Sequence, residues 1–125
     1  MSGEPPAAAW LRIARSELAV ADGPYDPDAL PGVYCYLAQQ SAEKAIKGVY
    51  VHRGIEPPRI HEIHVLLAGL DDVPEPVGRA VRLSEYIVET RYPGDMPDAT
   101  VADRDAAVEL ARVVLAWAVV IIEGA

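Results

Sequence analysis

The stretch from Tyr34 to Gly54, YCYLAQQSAEKAIKGVYVHRG, holds a helical pattern without interruption, and it restricts the fold more than any other segment. Ala38, Ala42, Ala45 and Val49 recur at helical spacing on one side, and Gln40, Glu43 and Lys47 recur on another. The small residues Ala38, Ser41, Ala42, Ala45 and Gly48 allow a neighbouring helix to approach closely. Glu43 and Lys47 stand four apart in the favourable order, which supports the helix by a few tenths of a kcal/mol. His52 and Arg53 suit the negative end of the helix dipole, and Gly54 is placed to cap it in the left-handed conformation.

The remaining apolar positions also recur at three and four. Pro5 and Pro6 open a first helix with Leu11, Ala14, Leu18 and Ala21 on one face, and Asp22-Gly23-Pro24 stops it. The second helix begins between Pro27 and Gly32. After the stiff Ile55-Glu56-Pro57-Pro58 connection, the spacing predicts a short helix over 61–70, with Ile63, Leu66, Leu67 and Leu70 as its stripe. A fourth helix is predicted over 76–90 from Val77, Ala80, Val81, Ser84, Ile87 and Val88. Pro93-Gly94 breaks it. Thr100 and Asp103 form a capping pattern at the start of a last helix that runs to the end. No segment alternates as a strand would. The expected fold is all-α: one domain over 1–125, an antiparallel bundle of four main helices plus one short helix.

With 51% hydrophobic residues and no Phe, the core must be built of Ala, Val, Leu and Ile, with two Trp and six Tyr as its large pieces. Val113 to Ile122 is apolar on every side, which in so small a domain predicts a subunit interface and a homodimer. The same run is too short to span a bilayer, and no signal peptide precedes the first helix, so a cytoplasmic protein is expected. A formal charge of −8 disfavours broad attraction to nucleic acid. The single cysteine, Cys35, falls in a helical apolar run and reads as a buried thiol.

Titratable residues gather around the Pro57-Pro58 turn: His52, Arg53, Arg59, His61, Glu62 and His64. Three histidines and one cysteine are a poor metal-ligand set, and neither a metal nor a cofactor is expected. The chain has no glycine-rich phosphate loop and no nucleophile elbow. Asp71-Asp72 beside Pro74 reads as a solvated helix end.

Several motifs in order resemble the prokaryotic HEPN domain. They are Gln39 to Lys47 (QQSAEKAIK), Arg53 to Pro58 (RGIEPP), His61-Glu62-Ile63, Ser84-Glu85-Tyr86, and Thr90 to Asp95 (TRYPGD). The resemblance extends from Trp10-Leu11 to the last apolar helix. It implies a helical bundle that commonly dimerises and is often paired with a minimal nucleotidyltransferase, as the substrate-binding or toxin half of a toxin–antitoxin system. On that reading Gln40, Glu43, Lys44, Lys47 and His61 are candidates for binding a nucleotide or a partner, with Arg91 and Tyr92 contributing a phosphate grip and a stacking face. Many HEPN proteins are also metal-independent ribonucleases, with an Arg followed after four to six residues by a His. Arg59 and His64 have that spacing. Arg would steady phosphate charge while His moves a proton at the 2′-hydroxyl. The position two beyond His64, where toxin forms often carry Tyr, is Leu66, and no histidine follows Arg91. A non-catalytic binding subunit and a ribonuclease, with RNA as its partner, are therefore the two readings of function.

Overall fold

The computed structural model describes residues 4–86 and 98–124, apart from the side chains of residues 85 and 86. Every regular element among them is helical: α1 (Pro6–Ala21), α2 (Pro31–His52), α3 (Ile63–Ala68), α4 (Glu75–Gly78) leading directly into a 3-10 helix (Arg79–Tyr86), and α5 (Val101–Glu123). This is the all-α bundle that the spacing predicts.

The helix boundaries follow from local chemistry. Pro6 and Pro31 each occupy the first turn of a helix, where a missing N–H costs nothing. After α2, Gly54 takes φ 74°, the left-handed cap expected of it. At α5, Thr100 Oγ1 accepts from the Asp103 backbone N–H at 3.1 Å, and Asp103 Oδ2 accepts from Thr100 N–H at 2.8 Å, a complete capping box. The α3 stripe is buried as its spacing requires, at Ile63, Leu66 and Leu67 and onward to Leu70.

The fourth predicted helix differs. Only its first turn is α-helical, and the next eight residues wind as 3-10. Val77, Ala80 and Leu83, spaced by three, are all buried, while Val81, assigned to the stripe at α-helical spacing, is 41% exposed. A period of three eclipses residues i and i+3, so the tighter helix aligns this set where an α-helix would splay it. The predicted continuation over 87–90 lies outside the described residues.

The contacts set the directions. Ser41 Oγ in α2 donates to the Ala14 carbonyl in α1 at 2.8 Å, while Gly48, two turns on, sits against Ala7 and Trp10. Thus α1 and α2 are antiparallel. Arg104, at the start of α5, reaches the Ala21 and Gly23 carbonyls, and Glu123 at its end meets Arg15, so α5 also opposes α1. The small-residue side of α2 is the seam between its neighbours: Ala38, Ser41, Ala42, Ala45 and Gly48 are all buried. A Cβ at Gly48 would lie 3.1 Å from Trp10 Cβ and 3.2 Å from Ile122 Cδ1, so three helices come close together there. Around the seam, Leu11, Ile46, Ile63, Leu66 and Leu83 are fully buried, each worth about 1.5–3 kcal/mol of transfer free energy.

The second half of α5, Val113 to Ile122, is apolar on all sides but not uniformly covered. Val114 and Ala118 are buried, Leu115 and Trp117 are half-buried, and Val120 is 55% exposed. Among the described residues, no helix is long and apolar enough to cross a membrane.

At the far end of the bundle from Gly48, Arg104 closes the α1–α2 connection. Its guanidinium lies 4.0 Å from the Tyr25 ring centroid and 5.5 Å from that of Tyr34, and the two rings pack edge to face.

Candidate functional site

The polar stripe of α2 faces inward, under the connection that leads to α3. Gln39 is 0% and Glu43 is 1% exposed, and Lys47 is also buried. A surface Glu–Lys pair would contribute a few tenths of a kcal/mol; this one is buried, and its energetics are those of desolvated charge.

Glu43 is its centre. Its Oε2 accepts from Lys47 Nζ at 3.0 Å and meets His61 Nδ1 at 3.0 Å. Because Oε2 serves as the acceptor, the proton of the His61 contact sits on Nδ1, and Nε2 is the ring's open position. The His61 backbone carbonyl is held as well, accepting from Gln39 Nε2 at 3.2 Å. His61, whose side chain is 62% exposed, is thus fixed by both ring and backbone. The other carboxylate oxygen, Glu43 Oε1, is buried and has no hydrogen-bond partner among the described residues. Buried acceptors are nearly always satisfied, so this atom marks a place where a donor is wanted.

The network extends along α2. Gln39 Oε1 accepts from Gln40 Nε2 at 2.8 Å, Gln40 Oε1 accepts from Lys44 Nζ at 3.2 Å, and Lys44 pairs with Glu17 of α1 at 3.4 Å. Burial pushes the Glu17 carboxyl up, Lys44 pulls it partly back, and the nearby Glu43 adds to the rise.

Beside this network, Trp10, Lys47, Glu56, Pro57, Pro58 and Arg59 line a groove of about 320 Å³. Lys47 belongs to both features: it lines the groove and is bonded to Glu43.

Of the residues singled out from sequence, Gln40, Glu43, Lys44, Lys47 and His61 come together in one network. Arg59 lies on the groove, and His64 is exposed at the first turn of α3. Arg59 and His64 make no hydrogen bond or ion pair with any described residue. Arg91 and Tyr92 lie outside the described residues. Among the described residues, no group of three or more His, Cys, Asp or Glu side chains is placed to hold a metal. Sequence reasoning missed Glu17, Gln39 as the brace of His61, and Trp10 and the two prolines as groove walls. Gln39 falls inside the QQSAEKAIK motif. For Trp10, the only signal was a lone large aromatic at a helix start.

A bundle with one buried, charged helix face beneath a proline-rich connection defines a class, and comparison with known proteins identifies the family. The HEPN domain family matches residues 7–122, and the chain belongs to it. It is similar to the crystal structure of TT1696 from Thermus thermophilus, at 35% identity and a TM-score of 0.78, covering 91% of this chain and 96% of that one. It is also similar to ST0689, an archaeal HEPN homologue, at 28% identity and a TM-score of 0.70, covering 90% and 93% respectively. No curated protein matches the sequence.

Proposed function

We propose that this chain is a non-catalytic HEPN subunit that binds a nucleotide or a protein partner and works beside a separate minimal nucleotidyltransferase. The observation that carries this reading is the Lys47–Glu43–His61 cluster: a buried carboxylate holds one exposed imidazole in a fixed pose and keeps a second oxygen free for a donor. Such groups cost several kcal/mol to desolvate, a cost more readily explained by recognition than by packing. Among the described residues nothing comparable joins Arg59 to His64, so the ribonuclease reading stands second.

On this reading the half-covered apolar surface of α5 packs against a second copy, giving a homodimer. The single domain spans the whole of 1–125.

The test pairs two measurements on the purified protein. Incubated with RNA in EDTA, the wild type should leave it intact; cleavage that disappears in Arg59→Ala/His64→Ala would overturn the binding-subunit reading. Co-expressed with a small nucleotidyltransferase from the same genome, the wild type should co-purify with it, and Glu43→Gln/His61→Ala should not.

A further inference from the structure

We propose that His61 is a phosphoryl-acceptor site, its Nε2 taking a phosphoryl group from a small phosphoramidate donor, whether or not a nucleotidyltransferase binds. The chain has three histidines, and all three are exposed. They differ in how they are held. His52 and His64 make no hydrogen bond or ion pair with any described residue, so neither ring is fixed in one pose or one tautomer. His61 has its Nδ1 3.0 Å from Glu43 Oε2, and its backbone carbonyl accepts from Gln39 Nε2. That contact keeps the proton on Nδ1 and leaves the lone pair on Nε2, at the surface.

An imidazole oriented by a carboxylate through one nitrogen is a nucleophile at the other, and the carboxylate makes it more basic. Glu43 itself is only 1% exposed, so the ring and not the carboxylate is what a donor meets. A lone carboxylate behind the ring would repel an anionic donor. Here Lys47 Nζ lies 3.0 Å from the same Oε2, so a buried cation cancels the orienting charge and an anionic phosphoryl donor approaches without that penalty. In the step, the Nε2 lone pair attacks the phosphorus of a phosphoramidate protonated on nitrogen, the donor's P–N bond breaks, and ammonia leaves with the bonding electron pair. One P–N bond replaces another, so no further reactant is needed. The ring becomes a phosphoimidazolium whose Nδ1–H and positive charge face Glu43, and the released ammonia takes a proton from the buffer.

Incubating the purified protein with potassium phosphoramidate, and mapping its peptides by mass spectrometry under alkaline conditions, follows all three histidines at once. His61 should be modified at least tenfold faster than His52 and His64, and phosphorus NMR should show the Nε2 isomer. Glu43→Leu/Lys47→Met removes the orienting carboxylate without stranding a buried charge. With its fold verified by circular dichroism, that variant should lower the ratio of the His61 rate to the other two at least fivefold. The proposal is overturned if His61 has less than a tenfold advantage, if the Nδ1 isomer is the product, or if the double variant lowers the ratio less than fivefold. Should the variant fail to fold, the wild type in urea above its unfolding midpoint replaces it under the same fivefold criterion. Co-purification with a nucleotidyltransferase reads the binding proposal separately, so failure of either leaves the other standing.

Discussion

Glu43 Oε2 lies 3.0 Å from His61 Nδ1, yet the carboxylate is 1% exposed and the imidazole 62%. A buried side chain thereby sets the direction of a surface one, and Lys47 balances its charge.

Breaking that balance from one side should be severe. Glu43→Gln leaves Lys47 buried without its counter-charge and should cost about 3 kcal/mol or more in urea unfolding, because removing one partner of a buried pair strands the other. Glu43→Leu/Lys47→Met replaces both charges with apolar volume and should recover most of that loss. A double variant as unstable as the single one would contradict the pairing account.

Cys35 should be inert while the protein is folded. Burial pushes its thiol up to about 11, and the nearby Asp103 adds to the rise. At pH 8 an added disulfide reagent should react only as fast as the chain opens. An unfolded thiol ionises near pH 9, below the folded value, so stability present below pH 9 is lost progressively as pH rises toward 11. The urea midpoint of the wild type should therefore fall more steeply over that window than that of Cys35→Ala. Burial raises Tyr50 as well, but it does so in both proteins and drops out of the comparison.

Two glycines should respond in opposite senses to alanine. Gly48→Ala drives a Cβ against Trp10 and Ile122, and overpacking of about 1–3 kcal/mol should outweigh the ~1 kcal/mol gain in helix propensity. At Gly78 an added methyl would meet nothing within 4 Å, and the residue lies in α4 with no left-handed φ, so Gly78→Ala should raise the thermal midpoint. A midpoint shift of the same sign in both variants would refute the close-contact explanation.

Arg104→Lys keeps a positive charge but loses the flat face over Tyr25 and the Nη1 atom that donates to the Ala21 and Gly23 carbonyls at 2.8 and 3.1 Å. A loss of about 1–2 kcal/mol by chemical denaturation is expected. An unchanged midpoint would show that the α1–α2 connection is held by other contacts.

The helices were legible because their breaks are chemical: Pro6, Gly23, Gly54 and Thr100 each act through a local rule that needs no tertiary knowledge, while the start of α2 was bounded only between Pro27 and Gly32 and falls at Pro31. The packing seam was legible too, since Ala38, Ala42, Ala45 and Gly48 are small and regularly spaced. The winding of Arg79–Tyr86 was not. Val77, Ala80 and Leu83 fit either helical period over so short a run, and the packing around them decides. The site was half legible. Gln40, Glu43, Lys44 and Lys47 stood out as a polar stripe, but a stripe reads as a solvated face until something covers it. Here His61 meets Glu43 and Gln39, the Glu56–Arg59 segment lies beside Lys47, and Glu17 of α1 meets Lys44. Trp10 and Pro57-Pro58 are far apart in sequence, and only the antiparallel crossing of α1 and α2 makes them neighbours.

The meeting of Ala7, Trp10 and Ile122 at Gly48 also places the start of α1 and the end of α5 at one pole of the molecule, beside the groove. A polypeptide fused ahead of α1 or after α5 is tethered close to the groove, so a purification tag should be removed before ligand binding is measured. A circular permutant joining those ends and opening the chain near Asp26 would carry both new termini to the opposite pole while leaving the three-helix crossing intact.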